Sequence, residues 1–214
     1  GMELLQAIIL GIVQGITEWW PISSSGHLVI LEYFFKIKEN ITLNSILHLG
    51  SLLVILLVFY KDIFGILKAF FKFNFKSREG KLALYIILGS VMTGIIGILF
   101  HDLIISFFSS IKVVAIALLV TGGLLFLTQI KRKQRKMDIF DSIIIGAMQG
   151  AALVPGLSRS GTTISSGLLL GLNRKDAAKF SFLLFIPAAI GAALMELDFS
   201  ELNHPESQLL FLRH

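Results

Sequence analysis

The segment GIVQGITEWWPISSSGHL, residues 11–28, is followed much later in the chain by a similar segment, GAMQGAALVPGLSRSGTT, residues 146–163. Such a repeat predicts two related halves of one fold. Where the copies differ, the first has Glu18 and His27 and the second has Arg159, so we expect the chemistry at these differences. Aligned without a gap, the segments share Gly11/Gly146, Gln14/Gln149, Gly15/Gly150, Ser23/Ser158, Ser25/Ser160 and Gly26/Gly161.

The composition around the repeat is that of a membrane protein. The chain is 55% hydrophobic and only 15% charged, and its mean hydropathy is +0.81. Residues 82–100 and 113–130 are uncharged and about as long as a helix that crosses a bilayer. The composition therefore predicts an all-α, polytopic membrane protein. The net charge of +5 comes largely from residues in loops, which argues against a nucleic-acid partner.

The loop charges predict the orientation of the chain. Residues 61–81 carry six Lys or Arg, residues 131–136 carry five and residues 173–179 carry three. Because cytoplasmic loops are enriched in Lys and Arg, we expect these three loops in the cytoplasm. Residues 101–110 and the tail after residue 195 are expected outside. The sequence KAFFKFNFK within the first basic loop predicts a helix that lies along the membrane surface.

Counting the crossings predicts an inverted-topology repeat. Three helices lie between the two polar motifs, so hairpins that hold those motifs open on opposite faces of the membrane. The apolar runs within the hairpins are short, and Pro and Gly interrupt them, which favours re-entrant segments. The first repeat is predicted at 1–130, with a hairpin at 4–35 and helices at 45–60, 82–100 and 112–130. The second is predicted at 131–214, with a hairpin at 139–172 and a helix at 180–195.

The same alignment, which places Gly11 on Gly146, predicts that the second repeat is incomplete. The partners of helices 82–100 and 112–130 would fall at about 217–235 and 247–265, beyond residue 214. We therefore expect two further helices in a complete second repeat.

Glu18 is the carboxylate of the first motif, and Gln14 lies four residues before it on the same helical face. A carboxylate at membrane depth costs roughly 2.5–3.5 kcal/mol on insertion scales and needs a partner or a role. One interpretation is a ligand for a hard divalent cation, with the Gln14 carbonyl assisting, or a proton acceptor. The alternative is a carboxylate in water at the membrane interface.

Residues 23–27 form a polar turn that ends in His27. An imidazole titrates near neutral pH, so His27 is a candidate general acid or base, or a nucleophile. A neighbouring serine is the other candidate nucleophile. The alternative is that the small residues serve close helix packing. His48, His101, Asp102 and Glu32 are given no role.

Arg159 is the cation of the second motif. The guanidinium matches phosphate oxygens, and glycines, hydroxyls and a helix N-terminus around it predict an anion site. The alternative is that Arg159 neutralises Glu18 structurally. The residues expected to bind phosphate are Ser23, Ser25, Ser158, Ser160, Gly161 and Thr163.

These motifs resemble those of the undecaprenyl-diphosphate phosphatase family, membrane proteins linked to bacitracin resistance. Its (E/Q)xxxE element is matched by Gln14 and Glu18, its PxSSxGH element by PISSSGH at 21–27 and its PGxSRSxxT element by PGLSRSGTT at 155–163. The resemblance spans the chain. It implies removal of the terminal phosphate of a polyprenyl diphosphate at a site open to the extracytoplasmic side of the cell membrane.

The resemblance also implies the roles of single residues. The functional residues of the family fall on Glu18, Ser24, His27 and Arg159, with Ser158, Ser160 and Thr163 in support. A divalent cation, Mg²⁺ or Ca²⁺, is implied as a cofactor, with Gln14 and Glu18 as its ligands. Many members have Glu where Gln14 stands, and although the pattern allows Gln, the loss of one negative charge is expected to weaken cation binding.

Two questions stay open at this stage. Inverted repeats with broken helices are also found in transporters, so a flippase for polyprenyl phosphate is the alternative function. The one assembly considered for this chain is a homodimer.

Overall fold

The computed structural model describes residues 4–37, 41–108, 110–130 and 132–196, and these residues form ten helices and no strand. The predicted all-α class is therefore confirmed. The predicted outer tail, at residues 197–214, lies outside the described residues. The helices are α1 (Leu4–Thr17), α2 (Ser24–Phe35), α3 (Ile41–Val58), α4 (Tyr60–Phe71), α5 (Arg78–Leu99), α6 (His101–Phe108), α7 (Ile111–Leu127), α8 (Ile139–Ala151), α9 (Arg159–Leu169) and α10 (Arg174–Glu196).

One described helix, α5, is by itself long and apolar enough to cross a membrane. Two bent pairs, α3 with α4 and α6 with α7, reach that length only when each pair is taken as one span. The chain bends by 80° between α3 and α4. Large apolar side chains are exposed along many of these helices, as in a protein surrounded by lipid.

The predicted helices correspond to α3, α5, α7 and α10, with bounds that differ by a few residues at most ends. Two details differ from prediction. A helix along the membrane surface was expected at residues 68–76, whereas the helix in this region, α4, spans Tyr60–Phe71, and its place relative to the membrane stays a prediction. Residues 101–110 were expected to be a connection, but they include the short apolar helix α6.

The sequence repeat is also a repeat of helix bounds. The alignment that places Gly11 on Gly146 carries α1 and α2 to 139–152 and 159–170, which match α8 and α9 to within one residue. The helix caps repeat as well, because Ser23 Oγ accepts from Gly26 N at 3.1 Å and Ser158 Oγ accepts from Gly161 N at 3.0 Å. Each serine thus caps one of the amides that a helix start leaves without a partner.

Close packing of α5 against α8 supports the second motif. A Cβ atom added at Gly146 would collide with the backbone of Gly89, so the two helices need glycine where they cross. Thr93 Oγ1 donates to the Gly146 carbonyl at 2.9 Å and adds a hydrogen bond to this crossing. Such small-residue contacts are how membrane helices approach each other closely.

An ion pair fixes the start of α8. Asp141 is 1% exposed and forms a capping box with Asp138. Arg135 donates to both Asp141 oxygens, at 2.8 and 2.6 Å, which raises the pKa of Arg135 above its usual value. The Arg135 amide also donates to the Gly171 carbonyl at 2.9 Å, so this loop ties α8 to the turn after α9.

Candidate active site

The two polar motifs meet at one ion pair. Arg159 Nη2 donates to Glu18 Oε1 at 2.5 Å, although the residues are 141 positions apart. Glu18 is 6% exposed, so it does not lie in water at the membrane interface. Glu18 follows α1 and Arg159 begins α9, so the pair joins the ends of two helices from different repeats.

The second oxygen of Glu18, Oε2, accepts hydrogen bonds from two neutral side chains. Ser24 Oγ donates to Glu18 Oε2 at 2.5 Å, and Gln14 Nε2 donates to the same oxygen at 2.9 Å. The expected common face of Gln14 and Glu18 is therefore present. Because the Ser24 hydroxyl donates to the carboxylate, Glu18 is placed to accept a proton from Ser24.

The Arg159 guanidinium has two partners, Glu18 at Nη2 and the Phe185 ring, and its Nη1 group has none among the described residues. Its guanidinium carbon lies 3.8 Å from the ring centre of Phe185 in α10. Nη2 bonds Glu18, whereas Nη1 is buried and has no hydrogen-bond partner among the described residues. A buried donor without a partner is costly, so Nη1 is the group on which an anion would be stabilised most.

The serines and threonine expected around a phosphate divide into two groups. Those near the starts of α2 and α9 form similar pairs, with Oγ–Oγ distances of 3.3 and 3.4 Å. The Thr163 hydroxyl lies one turn further on and is bonded to the Arg159 carbonyl and to Ser181 Oγ, at 2.9 and 2.6 Å. Thr163 therefore stabilises the first turn of α9 and links it to Ser181 in α10. The two serine pairs are Ser23 with Ser25 and Ser158 with Ser160.

Gly161 contributes backbone to the junction of the motifs. A Cβ atom added at Gly161 would lie 3.2 Å from the Pro21 carbonyl oxygen, and one at Gly26 would lie 3.1 Å from Gly156. The two motif loops thus approach each other at glycines. Thr121 in α7 fixes the second loop, since it accepts from Ser158 N at 3.0 Å and donates to the Gly156 carbonyl at 3.2 Å.

His27 lies beside this cluster without bonding to its charged members. Its Nδ1 is 2.7 Å from the Ser23 carbonyl oxygen, which can only accept, so Nδ1 carries the proton. In the neutral ring the lone pair is then on Nε2. No hydrogen bond within the described residues joins His27 to Glu18, Ser24 or Arg159. His27 is therefore suited to a proton transfer at Nε2, separate from the bond between Ser24 and Glu18.

The expected cation ligands do not fit a resident divalent ion. Within the described ranges there is no group of three or more His, Asp, Glu or Cys side chains that could hold a metal. Both Glu18 oxygens already accept hydrogen bonds, and the Gln14 amide nitrogen, a donor, faces Glu18. Gln14 Oε1 is buried without a partner in the part of the chain that the structure describes, but one amide oxygen and a carboxylate paired with Arg159 would leave a divalent ion to be held mainly by water and by substrate phosphates.

Two helices contribute residues that the sequence did not predict. His48 in α3, which was given no role, has Nε2 3.6 Å from Glu18 Oε2 and a side chain that is 32% exposed. Ser51 lies one turn away and accepts from Gln14 at 3.5 Å. The spacing of His48 and Ser51 on one face of an uncharged helix could have indicated them. Phe185 had no such signal, because it is one of 18 phenylalanines.

Comparison with known proteins identifies the family. Residues 7–212 match the family model described as bacitracin resistance protein BacA. A protein of Korarchaeum cryptofilum named undecaprenyl-diphosphatase is 41% identical over 96% of this chain and 82% of its own length. Proteins with the same name from Carboxydothermus hydrogenoformans and Halothermothrix orenii are 45% and 43% identical, over 94% and 92% of this chain and 77% and 75% of theirs. The chain belongs to the bacitracin resistance protein BacA family of membrane proteins.

Proposed function

We propose that this protein is an integral membrane phosphatase that hydrolyses undecaprenyl diphosphate, or a similar polyprenyl diphosphate. The products are the monophosphate lipid carrier and inorganic phosphate, so the enzyme recycles the carrier for cell-envelope synthesis. The observation that carries the proposal is the Glu18 carboxylate, which bonds Arg159 through one oxygen and Ser24 through the other. The names of the relatives support the same reaction.

The terminal phosphate binds at the meeting point of the two motifs. Arg159 Nη1 supplies a charged donor, and the first turns of α2 and α9 supply amides and serine hydroxyls. Donors fixed before the reaction stabilise the charge that builds up on the phosphoryl oxygens, which is the main requirement of phosphoryl transfer. The prenyl chain stays in the bilayer.

In the first step, Ser24 Oγ attacks the terminal phosphorus while Glu18 Oε2 takes its proton. A bond from Ser24 to phosphorus forms, and the bond from phosphorus to the bridging oxygen breaks, so polyprenyl monophosphate leaves with the electron pair. Protonation removes the charge of Glu18 and frees the Arg159 charge for the phosphoryl group.

In the second step, water hydrolyses the phosphoserine and releases inorganic phosphate. His27 Nε2 accepts the proton of the attacking water, and Glu18 returns its proton to Ser24. His27 or water as the attacking group in the first step is an alternative that leaves no phosphoserine. Trapping of ³²P-labelled phosphoserine by acid quench distinguishes the two routes.

The architecture that we propose for this enzyme is an inverted-topology repeat, with halves at 1–130 and 131–214. The hairpins at 4–35 and 139–172 enter the membrane from opposite faces as re-entrant segments, and the site opens to the extracytoplasmic side of the cell membrane. The matching bounds and caps of the two hairpins support a repeat, and the loop charges support the orientation.

Hydrolysis is favoured over translocation of a polyprenyl phosphate. A carrier needs Arg159 to bind phosphate, but it has no use for a serine hydroxyl directed at a buried carboxylate. The test is phosphate release from farnesyl or undecaprenyl diphosphate in detergent, where no translocation is possible. Release by the wild type and its loss in Ser24→Ala support the proposal. Lipid translocation in liposomes without any phosphate release would overturn it.

A further inference from the structure

We infer that Phe185 is a positioning residue for the proposed reaction, holding the Arg159 guanidinium in place when Glu18 no longer does. The inference rests on the proposed phosphatase activity. Its basis is the contact between the Phe185 ring and the guanidinium carbon, at 3.8 Å. Both arginine and lysine are attracted to an aromatic face by their charge, but only the planar guanidinium of arginine also stacks on the ring.

The stacking completes the constraint on Arg159. The bond to Glu18 anchors Nη2, and the ring lies against the guanidinium carbon, so two contacts on different sides restrict where Nη1 points. Nη1 is buried and has no partner in the described residues. The ring therefore helps to hold Nη1 in a fixed direction, available to a ligand.

The position of Phe185 is itself fixed by packing. Phe185 is 6% exposed and forms an apolar cluster with Leu52 and Ile55 of α3 and with Ala189. Trp19, which directly follows Glu18, packs against the same cluster. A ring held by two packed helices moves little, so the plane that it offers Arg159 is set by the fold.

Proton transfer to Glu18 makes this contact necessary. In the resting site the carboxylate holds Arg159 by charge, but a protonated Glu18 no longer attracts a cation. At that moment the phosphoryl group carries the developing charge and needs the guanidinium to stay where it is. The contact with Phe185 does not depend on the charge of Glu18, so it persists through the step.

A double-mutant cycle tests the inference. Phe185→Leu keeps an apolar side chain in the cluster and removes the aromatic face, and Phe185→Tyr keeps the face. With farnesyl diphosphate, Phe185→Leu is expected to lower kcat/KM roughly 3- to 30-fold, the range of a cation–π contact. Phe185→Tyr is expected to restore it. In an Arg159→Lys background, the same Phe185→Leu change is expected to cost clearly less than in the wild type, because lysine keeps the charge but not the planar group that stacks on the ring.

Phe182→Leu is the matched control. Phe182 lies on the same helix and packs against Trp19 and Phe59, with ring centres at 5.8 and 6.1 Å, but its contacts are aromatic. Phe182→Leu is expected to shift the thermal unfolding midpoint as much as Phe185→Leu does, without the loss in kcat/KM. Binding of inorganic pyrophosphate, measured by calorimetry in detergent, gives the same cycle without turnover.

The outcomes separate this inference from the proposed function. An unchanged kcat/KM in Phe185→Leu, with Arg159→Ala inactive, overturns the role of Phe185 and leaves the phosphatase intact. An equal loss in the wild-type and Arg159→Lys backgrounds also overturns it, because Phe185 would then act through general packing. A wild type that releases no phosphate overturns the function, and the pyrophosphate cycle still decides the role of Phe185.

Discussion

Arg159 Nη2 and Glu18 Oε1 are 2.5 Å apart, and this hydrogen bond joins two motifs that are distant in sequence. A single unpaired charge at membrane depth would cost roughly 2.5–3.5 kcal/mol on insertion scales. The ion pair lowers this cost for both side chains. A structural pair would satisfy both side chains. Here Glu18 also accepts from Ser24, and Arg159 Nη1 has no partner among the described residues, so the pair retains groups that can bind and react.

Ser24→Ala is expected to reduce turnover with farnesyl diphosphate by at least about 100-fold, because it removes the attacking oxygen. The measurement is phosphate release in detergent, together with the yield of acid-trapped phosphoserine. Ser90→Ala is the control, since the Ser90 hydroxyl donates to a carbonyl of its own helix, at 2.6 Å. Wild-type turnover in Ser24→Ala would contradict the attack by Ser24.

His48 is partly exposed at the edge of the site, with Nε2 3.6 Å from the Glu18 oxygen to which Ser24 and Gln14 donate. We expect it to contribute to substrate binding and not to the chemical step, so His48→Ala is expected to raise KM about tenfold and to change kcat little. His48→Gln keeps an N–H donor of similar reach and is expected to recover most of the affinity. His101→Ala is the control, because His101 is exposed and pairs with Asp102. Equal effects of Ala and Gln at position 48 would argue against a donor role.

Gly146→Ala and Gly11→Ala test the packing at equivalent positions of the repeat. A methyl group at position 146 collides with the Gly89 backbone, so we expect a loss of about 1–3 kcal/mol in the free energy of unfolding. Among the described residues, a methyl group at position 11 meets only Leu47, at 3.6 Å. The higher helix propensity of alanine then favours Gly11→Ala by up to about 1 kcal/mol. Thermal unfolding in detergent measures both, and equal destabilisation would contradict the packing.

The side chains present predict weak cation binding by the protein alone. After treatment with a chelator, calorimetry is expected to detect no Mg²⁺ or Ca²⁺ binding below about millimolar concentration, because a hard cation needs several oxygens and Glu18 is paired with Arg159. Binding of either ion at micromolar concentration in the absence of diphosphate would contradict this. Arg159→Ala, which frees a Glu18 oxygen, is expected to increase the affinity for cations.

The spacing of residues in the sequence correctly predicted which side chains of the first motif share a helical face. The four-residue step from Gln14 to Glu18 places both on one face, and their side chains are hydrogen-bonded at 2.9 Å. The pairing of Glu18 with Arg159 was also within reach, because a buried charge in a membrane needs a partner and the repeat offered one. The helix bounds of α8 and α9 followed from those of α1 and α2.

The spacing of His48 and Ser51 could have marked them as polar residues on one helical face, but their contacts with the first motif could not be predicted, because these depend on how the helices pack. His48 lies well beyond the first motif in sequence, and only the placement of α3 brings its side chain to Glu18. Phe185 depends on α10 in the same way. The contact between the Thr163 hydroxyl and Ser181 in α10 could not be foreseen for the same reason, and phosphate binding by Thr163 stays a prediction.

Phosphate release by Glu18→Ala, Arg159→Ala and the double variant tests the central claim most directly. If the pair works as one unit, each single variant loses at least about 100-fold in turnover and the double variant is little worse than the worse single one. Arg132→Ala, a change at an exposed loop arginine, is the control. Wild-type turnover in either single variant would contradict the claim that Glu18 and Arg159 form the active site.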